Sequence, residues 1–116
     1  MVVIGGENVY PGQVEDVLAT DPSVAEVAVV DEPDAAYGVR LIAHVVLAPG
    51  ATLDAEHLQE QVRSLLARFA VPREFRLLAA LPRNATGKVL RNDLRANDLR
   101  ANDVRATDVR ATGGEQ

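Results

Sequence analysis

Val24-Ala25-Glu26-Val27-Ala28-Val29-Val30, the cluster Asp31-Glu32-Pro33-Asp34, and then Val39-Arg40-Leu41-Ile42-Ala43-His44-Val45-Val46-Leu47 decide how this chain folds. The first run is rich in β-branched residues and reads as a strand, and the turn formers after it read as its end. In the second run Leu41, Ala43, Val45 and Leu47 fall on one face of a pleated strand, with Arg40, Ile42, His44 and Val46 on the other. Both faces are largely apolar, which predicts a central strand covered on both sides.

Toward the N-terminus, Met1-Val2-Val3-Ile4 and Glu7-Asn8-Val9-Tyr10 flank Gly5-Gly6 and predict a short hairpin. From Pro11 to Thr20 the apolar residues Val14, Val17 and Leu18 recur at helical spacing, Pro11 suits a first turn, and Asp21-Pro22 ends the element. Downstream, Pro49-Gly50 turns the chain. Thr52 is the expected cap of a second helix whose stripe is Leu58, Val62, Leu65, Leu66 and Phe69. Glu74 to Leu78 predicts a third strand, and Leu81 to Lys88 a loop that opens a last helix with Leu90 and Leu94 one turn apart. The expected class is α+β: a small three-stranded sheet packed with helices, a short N-terminal β-hairpin and a repetitive C-terminal tail.

The tail repeats every five residues: Leu94-Arg95-Ala96-Asn97-Asp98, Leu99-Arg100-Ala101-Asn102-Asp103, Val104-Arg105-Ala106-Thr107-Asp108, Val109-Arg110-Ala111-Thr112. A five-residue step turns an α-helix by about 500°, so each apolar residue moves roughly 140° from the last and no continuous face forms. The pattern has a slight likeness to pentapeptide-repeat coils, but so few copies cannot stack into a buried core. Residues 1–95 therefore read as one domain and 96–116 as a disordered or frayed helical tail.

Composition narrows the chemistry. A formal net charge of -5 and a pI near 4.9 exclude a nucleic-acid groove, which needs clustered Lys and Arg. With no cysteine, a disulfide framework, a thiolate metal site and a thiol nucleophile are all excluded, and a reducing cytoplasm is the expected compartment. No apolar run approaches the roughly 20 residues of a membrane span. His44 on a strand and His57 on the exposed side of a helix read as structural, without the paired ligands of a metal site, and Tyr10 reads as a packing residue. Of the 12 Lys and Arg residues only Lys88 is a lysine, in Leu81-Pro82-Arg83-Asn84-Ala85-Thr86-Gly87-Lys88-Val89-Leu90-Arg91. Its place beside Gly87 points to chemistry rather than solubility.

Two separated motifs fit one family. Ile4-Gly5-Gly6-Glu7-Asn8-Val9-Tyr10-Pro11 with Val14-Glu15 resembles the glycine-rich opening of the small C-terminal domain of AMP-forming acyl-CoA synthetases. Pro82 to Arg91 resembles the lysine motif near that domain's end. Val24 to Val30, Pro33-Asp34 with Gly38, and Arg68-Phe69-Ala70-Val71-Pro72 match intervening landmarks in order, so the likeness covers about Met1 to Leu94. It implies a domain that swings between two poses against a large N-terminal adenylation domain. The first pose joins a carboxylic acid to ATP, with magnesium, as acyl-adenylate and pyrophosphate; the second admits coenzyme A, giving the thioester and AMP.

By that resemblance Lys88 is the catalytic residue of the first step, supported by Thr86 and Gly87. Gly5, Gly6, Glu7 and Asn8 form the loop of the thioester pose, where a Cβ would obstruct the thiol arm. An ammonium near the α-phosphate stabilises the negative charge that builds there, and a compact charge on a flexible stem suits reach across a domain interface. The domain is expected to bind no cofactor alone and to be inactive without the large domain, its start at Met1 falling inside a longer reading frame. Ala70 and Val39 depart from the family pattern, where a lysine able to meet coenzyme A phosphates and a glutamate are common. The leading reading is the catalytic lid of a fatty-acid or other apolar-acid CoA ligase. The alternatives are a non-catalytic remnant or binding module working with a separate large domain, and a piece of a peptide-synthetase adenylation domain.

Overall fold

The computed structural model describes residues 1–94 and 108–110. Strands β1 (Val2–Ile4) and β2 (Glu7–Val9) pair antiparallel around Gly5-Gly6, as expected for the hairpin. Helix α1 (Pro11–Ala19) starts on its proline and buries Val14 and Leu18. Strands β3 (Val24–Asp34) and β4 (Gly38–Leu47) pair antiparallel, helix α2 (Ala55–Leu65) crosses over, and β5 (Glu74–Leu77) lies parallel to β4. A short β6 (Asp108–Arg110) pairs antiparallel with β5, giving the order β3-β4-β5-β6. β4 is central, as its two apolar faces require.

The alternation of β4 sorts the interior into two layers. Leu41, Ala43 and Val45 face Val14 and Leu18 of α1, Leu58 and Val62 of α2, and Ile4 and Val9 of the hairpin. Ile42 joins Ala28, Val30, Leu78, Leu81 and Leu94 in a second cluster, against which Val46 and Val89 pack. One face of the sheet therefore carries the glycine hairpin and both helices, and the other carries the segment that contains Lys88.

Several boundaries differ from the sequence reading. β3 runs through Asp31-Glu32-Pro33 to Asp34, and the hairpin turns at residues 35–37 instead, where Asp34 Oδ2 accepts the N–H groups of Ala36 and Tyr37 at 3.0 and 2.9 Å. Pro33 is tolerated because β3 is an edge strand. Asp54, not Thr52, caps α2, accepting His57 N–H at 3.1 Å. The helix ends at Leu65, which is 67% exposed and so leaves the expected stripe, while Phe69 falls in a separate 3-10 turn, Arg68–Ala70. The helix expected beside Lys88 is, among the described residues, a 3-10 turn at Arg91–Leu94. The expected disorder or fraying of the pentapeptide tail lies outside the described residues, apart from β6.

Candidate functional site

Lys88 sits in a polar hairpin rather than at a helix start. Arg83 and Val89 form an antiparallel bridge, Asn84 N–H donates to Lys88 C=O at 3.0 Å, and Leu90 N–H donates to Pro82 C=O at 2.9 Å. Inside this loop the Asn84 side chain acts as a hub. Its Oδ1 accepts from Thr86 N–H (3.0 Å), Thr86 Oγ1 (2.8 Å) and Lys88 N–H (3.0 Å). Gly87 holds φ +92°, a conformation rare for residues with a Cβ, which lets the chain reverse just before the lysine. Thr86 and Gly87 thus shape the loop, and the Lys88 side chain is exposed at its tip.

Two arginine–glutamate pairs fix this loop to the rest of the fold. Arg83 donates through Nη1 to Gly87 C=O at 2.7 Å and through Nη2 to Glu26 of β3 at 2.7 Å. Arg91 engages both carboxylate oxygens of Glu15 on α1, one of them at 2.9 Å. The same pair occupies the free edge of β3: Glu15 Oε2 accepts Val29 N–H at 2.8 Å and Arg91 Nη1 donates to Val29 C=O at 3.3 Å. Hydrogen bonding to Glu15 raises the Arg91 pKa further above its ordinary value. Glu15, Glu26, Arg83 and Asn84 carried no assigned role in the sequence reading. Glu26 and Arg83 meet across 57 residues and Glu15 meets Arg91 across 76, so no local pattern announces those pairs, whereas the Asn84 bonds to Thr86 and Lys88 are local.

The glycine hairpin is held differently. Gly5 and Gly6 have φ +58° and +86°, but only Gly5 is crowded: a Cβ there would stand 2.6 Å from the Phe69 ring. At Gly6 a Cβ would meet nothing within 4 Å. The missing side chain at Gly5 therefore serves packing inside the domain, and Gly6 is the position that offers open backbone to a visitor. Glu7 and Asn8 are exposed beside it, and Tyr10, expected to pack, is 47% exposed at the start of α1.

Phe69 also borders a cleft of about 350 Å³ whose lining includes Ile4, Tyr37, Arg40, Arg63, Arg68 and Arg73. Tyr37 meets the Phe69 ring edge-on at 5.5 Å, and the Arg68 guanidinium lies 5.0 Å from its centroid. Nε of Arg40 and of Arg73 is buried without a hydrogen-bond partner among the described residues. In an acidic chain this gathering of arginines and aromatic rings favours an anionic, partly planar ligand. Ala70 is buried in the core and does not line the cleft.

Beneath the lysine segment the sheet carries a buried ionic group. Arg76 donates to Glu74 at 3.0 Å and to Glu32 at 2.9 Å, and Glu74 also accepts from Arg40 at 3.1 Å. Burial opposes the Arg76 charge, but the bonds to Glu74 and Glu32 outweigh it and its pKa rises. His44, fully buried on the same face, has no hydrogen-bond partner at either nitrogen among the described residues. Burial, reinforced by Arg76, lowers its pKa to about 4; nearby backbone of Ala28 and Leu94 and the charge of Glu74 offset only part of this. His57 lies 3.1 Å from Asp21 and ties α2 to the end of α1. No cluster of His, Cys, Asp or Glu able to hold a metal occurs among the described residues. Nor does any described helix have the length and apolarity to cross a membrane.

A lysine on a glycine turn and a glycine hairpin, carried on opposite faces of one small α+β sheet, define a recognisable class of domain. The chain belongs to the AMP-binding enzyme C-terminal domain family, whose profile matches residues 13–88. It is 43% identical over 95 residues to indoleacetate–CoA ligase from Aromatoleum aromaticum, covering 82% of this chain and 19% of that protein. It is 39% identical over 95 residues to a long-chain-fatty-acid–CoA ligase of Mycobacterium tuberculosis, with the same two coverages, 82% and 19%. Among solved structures, a double mutant of o-succinylbenzoate CoA synthetase from Bacillus subtilis, bound with its product analogue, superposes with a TM-score of 0.78. That match has 36% identity and covers 93% of this chain and 20% of the larger one. The chain thus spans about a fifth of the length of the relatives it matches.

Proposed function

We propose that this chain is the mobile catalytic lid of an AMP-forming acyl-CoA ligase, working with a large adenylation domain on a carboxylic acid, ATP and coenzyme A. The observation that carries the reading is the placement of the Lys88 loop and the Gly5–Gly6 hairpin on opposite faces of one sheet. A domain built this way presents one edge at a time to a shared active site, so a rotation exchanges the two.

In the adenylation pose Lys88 brings its ammonium to the α-phosphate as the acid's carboxylate attacks and pyrophosphate leaves. A preorganised cation there stabilises the developing charge. Magnesium enters with ATP and is held outside this chain. In the thioester pose Gly6 gives the thiol arm a path along open backbone, with Glu7 and Asn8 as polar neighbours. The arginine cleft beside Phe69 is suited to the phosphates and adenine of coenzyme A, and Arg68 and Arg73 stand in for the lysine that Ala70 replaces. The acid is proposed to be a fatty or other apolar one, on the strength of the fatty-acid and indoleacetate ligases among the relatives. A chain without cysteine suits the cytoplasm.

The test is to combine the 116-residue chain with the large domain of one of these relatives and follow ATP–pyrophosphate exchange and thioester formation. The reading requires both activities to depend on the added chain, and exchange to depend on Lys88. Exchange that survives Lys88→Ala in an otherwise working complex would overturn it. A complex active in neither assay would leave the binding-module reading in its place.

A further inference from the structure

We propose that the Glu15–Arg91 pair, seated on the free edge of β3, is a positioning element for Lys88. The inference rests on the adenylation reading above but concerns residues that reading leaves without a task. Arg91 stands three residues after Lys88, and Glu15 stands on the helix that follows the glycine hairpin. Their contact joins α1, β3 and the lysine segment at one point, because Val29 N–H bonds Glu15 and Val29 C=O bonds Arg91.

The geometry favours positioning over mere adhesion. Arg91 is bidentate to Glu15, a planar arrangement that fixes orientation as well as distance, and the Val29 backbone it bonds is part of a rigid sheet. On the other side of the loop Arg83 bonds Gly87 C=O and Glu26, again on β3. Lys88 is therefore suspended between two guanidinium struts that both end on the same strand. The apolar contacts of this segment, Leu81, Val89 and Leu94, hold it against the sheet without defining the direction of an exposed tip. The glycine hairpin, by contrast, is set by Ile4, Val9 and Phe69 and does not need the strut. Loss of the pair should accordingly harm the step that uses Lys88 and spare the step that uses the hairpin.

The full chain gives the first readout. In Glu15→Gln, which keeps an acceptor for Val29 N–H but loses the charge, hydrogen-exchange protection of the Gly87 and Lys88 amides should fall about tenfold. Protection of the Ile4 and Val9 amides should be unchanged. Equal loss in both regions, or none at Lys88, overturns the proposal, and Arg91→Ala supplies the same measurement should Glu15→Gln not fold. The second readout uses the reconstituted ligase. Glu15→Ala and Arg91→Ala should each lower kcat for pyrophosphate exchange about tenfold with little change in KM for ATP. The double variant should be no worse than either single one, since the two act through one contact. Conversion of supplied acyl-adenylate and coenzyme A to thioester should stay within about twofold. Parallel loss of both half-reactions, or additive single effects, refutes positioning. Lys88→Ala separates the two levels: if it abolishes exchange while Glu15→Ala leaves exchange at the parent rate, only this inference fails, and if exchange survives Lys88→Ala, the functional reading fails with it.

Discussion

The two exposed loops of this domain use the same device for reversal, a glycine at positive φ, yet they are anchored by different physics. The Gly5–Gly6 hairpin leans on apolar side chains, with Gly5 pressed against Phe69 and Ile4 and Val9 buried below. The Lys88 loop, above the apolar footing of Leu81, Val89 and Leu94, is held by Asn84, by carbonyls and by arginine–glutamate pairs whose guanidinium ends are exposed. Apolar anchoring is insensitive to salt and to moderate pH, whereas polar anchoring yields to both. One loop is thus fixed by shape and the other by charge, and each can be loosened separately.

The comparison can be broken most forcefully at Lys88. In a reconstituted ligase, Lys88→Ala should reduce adenylation by about 10²- to 10³-fold, the range for removing one preorganised electrostatic group. Thioester formation from supplied adenylate should remain. A drop in both half-reactions would mean that the two loops do not serve separate steps.

The next effect comes from pH and strikes the layer under the lysine loop. The folded His44 imidazole titrates near 4, below the free value of 6.5, so the unfolded chain takes up its proton first. Stability is therefore full above about pH 6.5, declines as the pH falls toward 4, and loses up to about 3 kcal/mol by then. Arg76, which faces His44 from the neighbouring strand and whose pKa is raised by its bonds to Glu74 and Glu32 against the cost of burial, keeps its charge through this window. Asp21, whose pKa is lowered chiefly by its bond to Ser23, contributes only at still lower pH. Denaturant titrations should show the slope in the parent and a flattened one in His44→Leu.

A finer cut separates the two glycines. Gly5→Ala should cost about 2 kcal/mol, combining strain at positive φ with displacement of the Phe69 ring, and Gly6→Ala about 1 kcal/mol from strain alone. Thermal melts of the two variants measure the difference. If they match, Phe69 is not what holds the hairpin. The smallest effect is that of salt. At 1 M NaCl, roughly a 3 Å screening length, amide exchange at residues 84–88 should quicken by a few fold while the hairpin amides do not respond.

How much of this could be read from the chain follows the same division. β4 was legible because both of its faces are apolar, and the hairpin because Gly-Gly between short β-branched runs has few other meanings. Lys88 and Gly87 stood out through composition and motif. What escaped was long-range and polar. Glu32 and Pro33 looked like turn residues, but Arg76, 44 positions away, draws Glu32 into the sheet and carries β3 onward. Leu65 fits a helical stripe, yet α2 stops there and leaves it in solvent. Glu15 and Arg91 were visible as motif letters, with nothing local to pair them across the sheet edge.

That edge has one more consequence. β3 is an eleven-residue outer strand, and its unpaired backbone groups form a template onto which a strand of another molecule could zip. At Val29 the carboxylate of Glu15 and the guanidinium of Arg91 already occupy the places such a strand would take. The contact that orients the lysine loop therefore also guards the domain against aggregation, and a population stripped of it should lose solubility as well as precision.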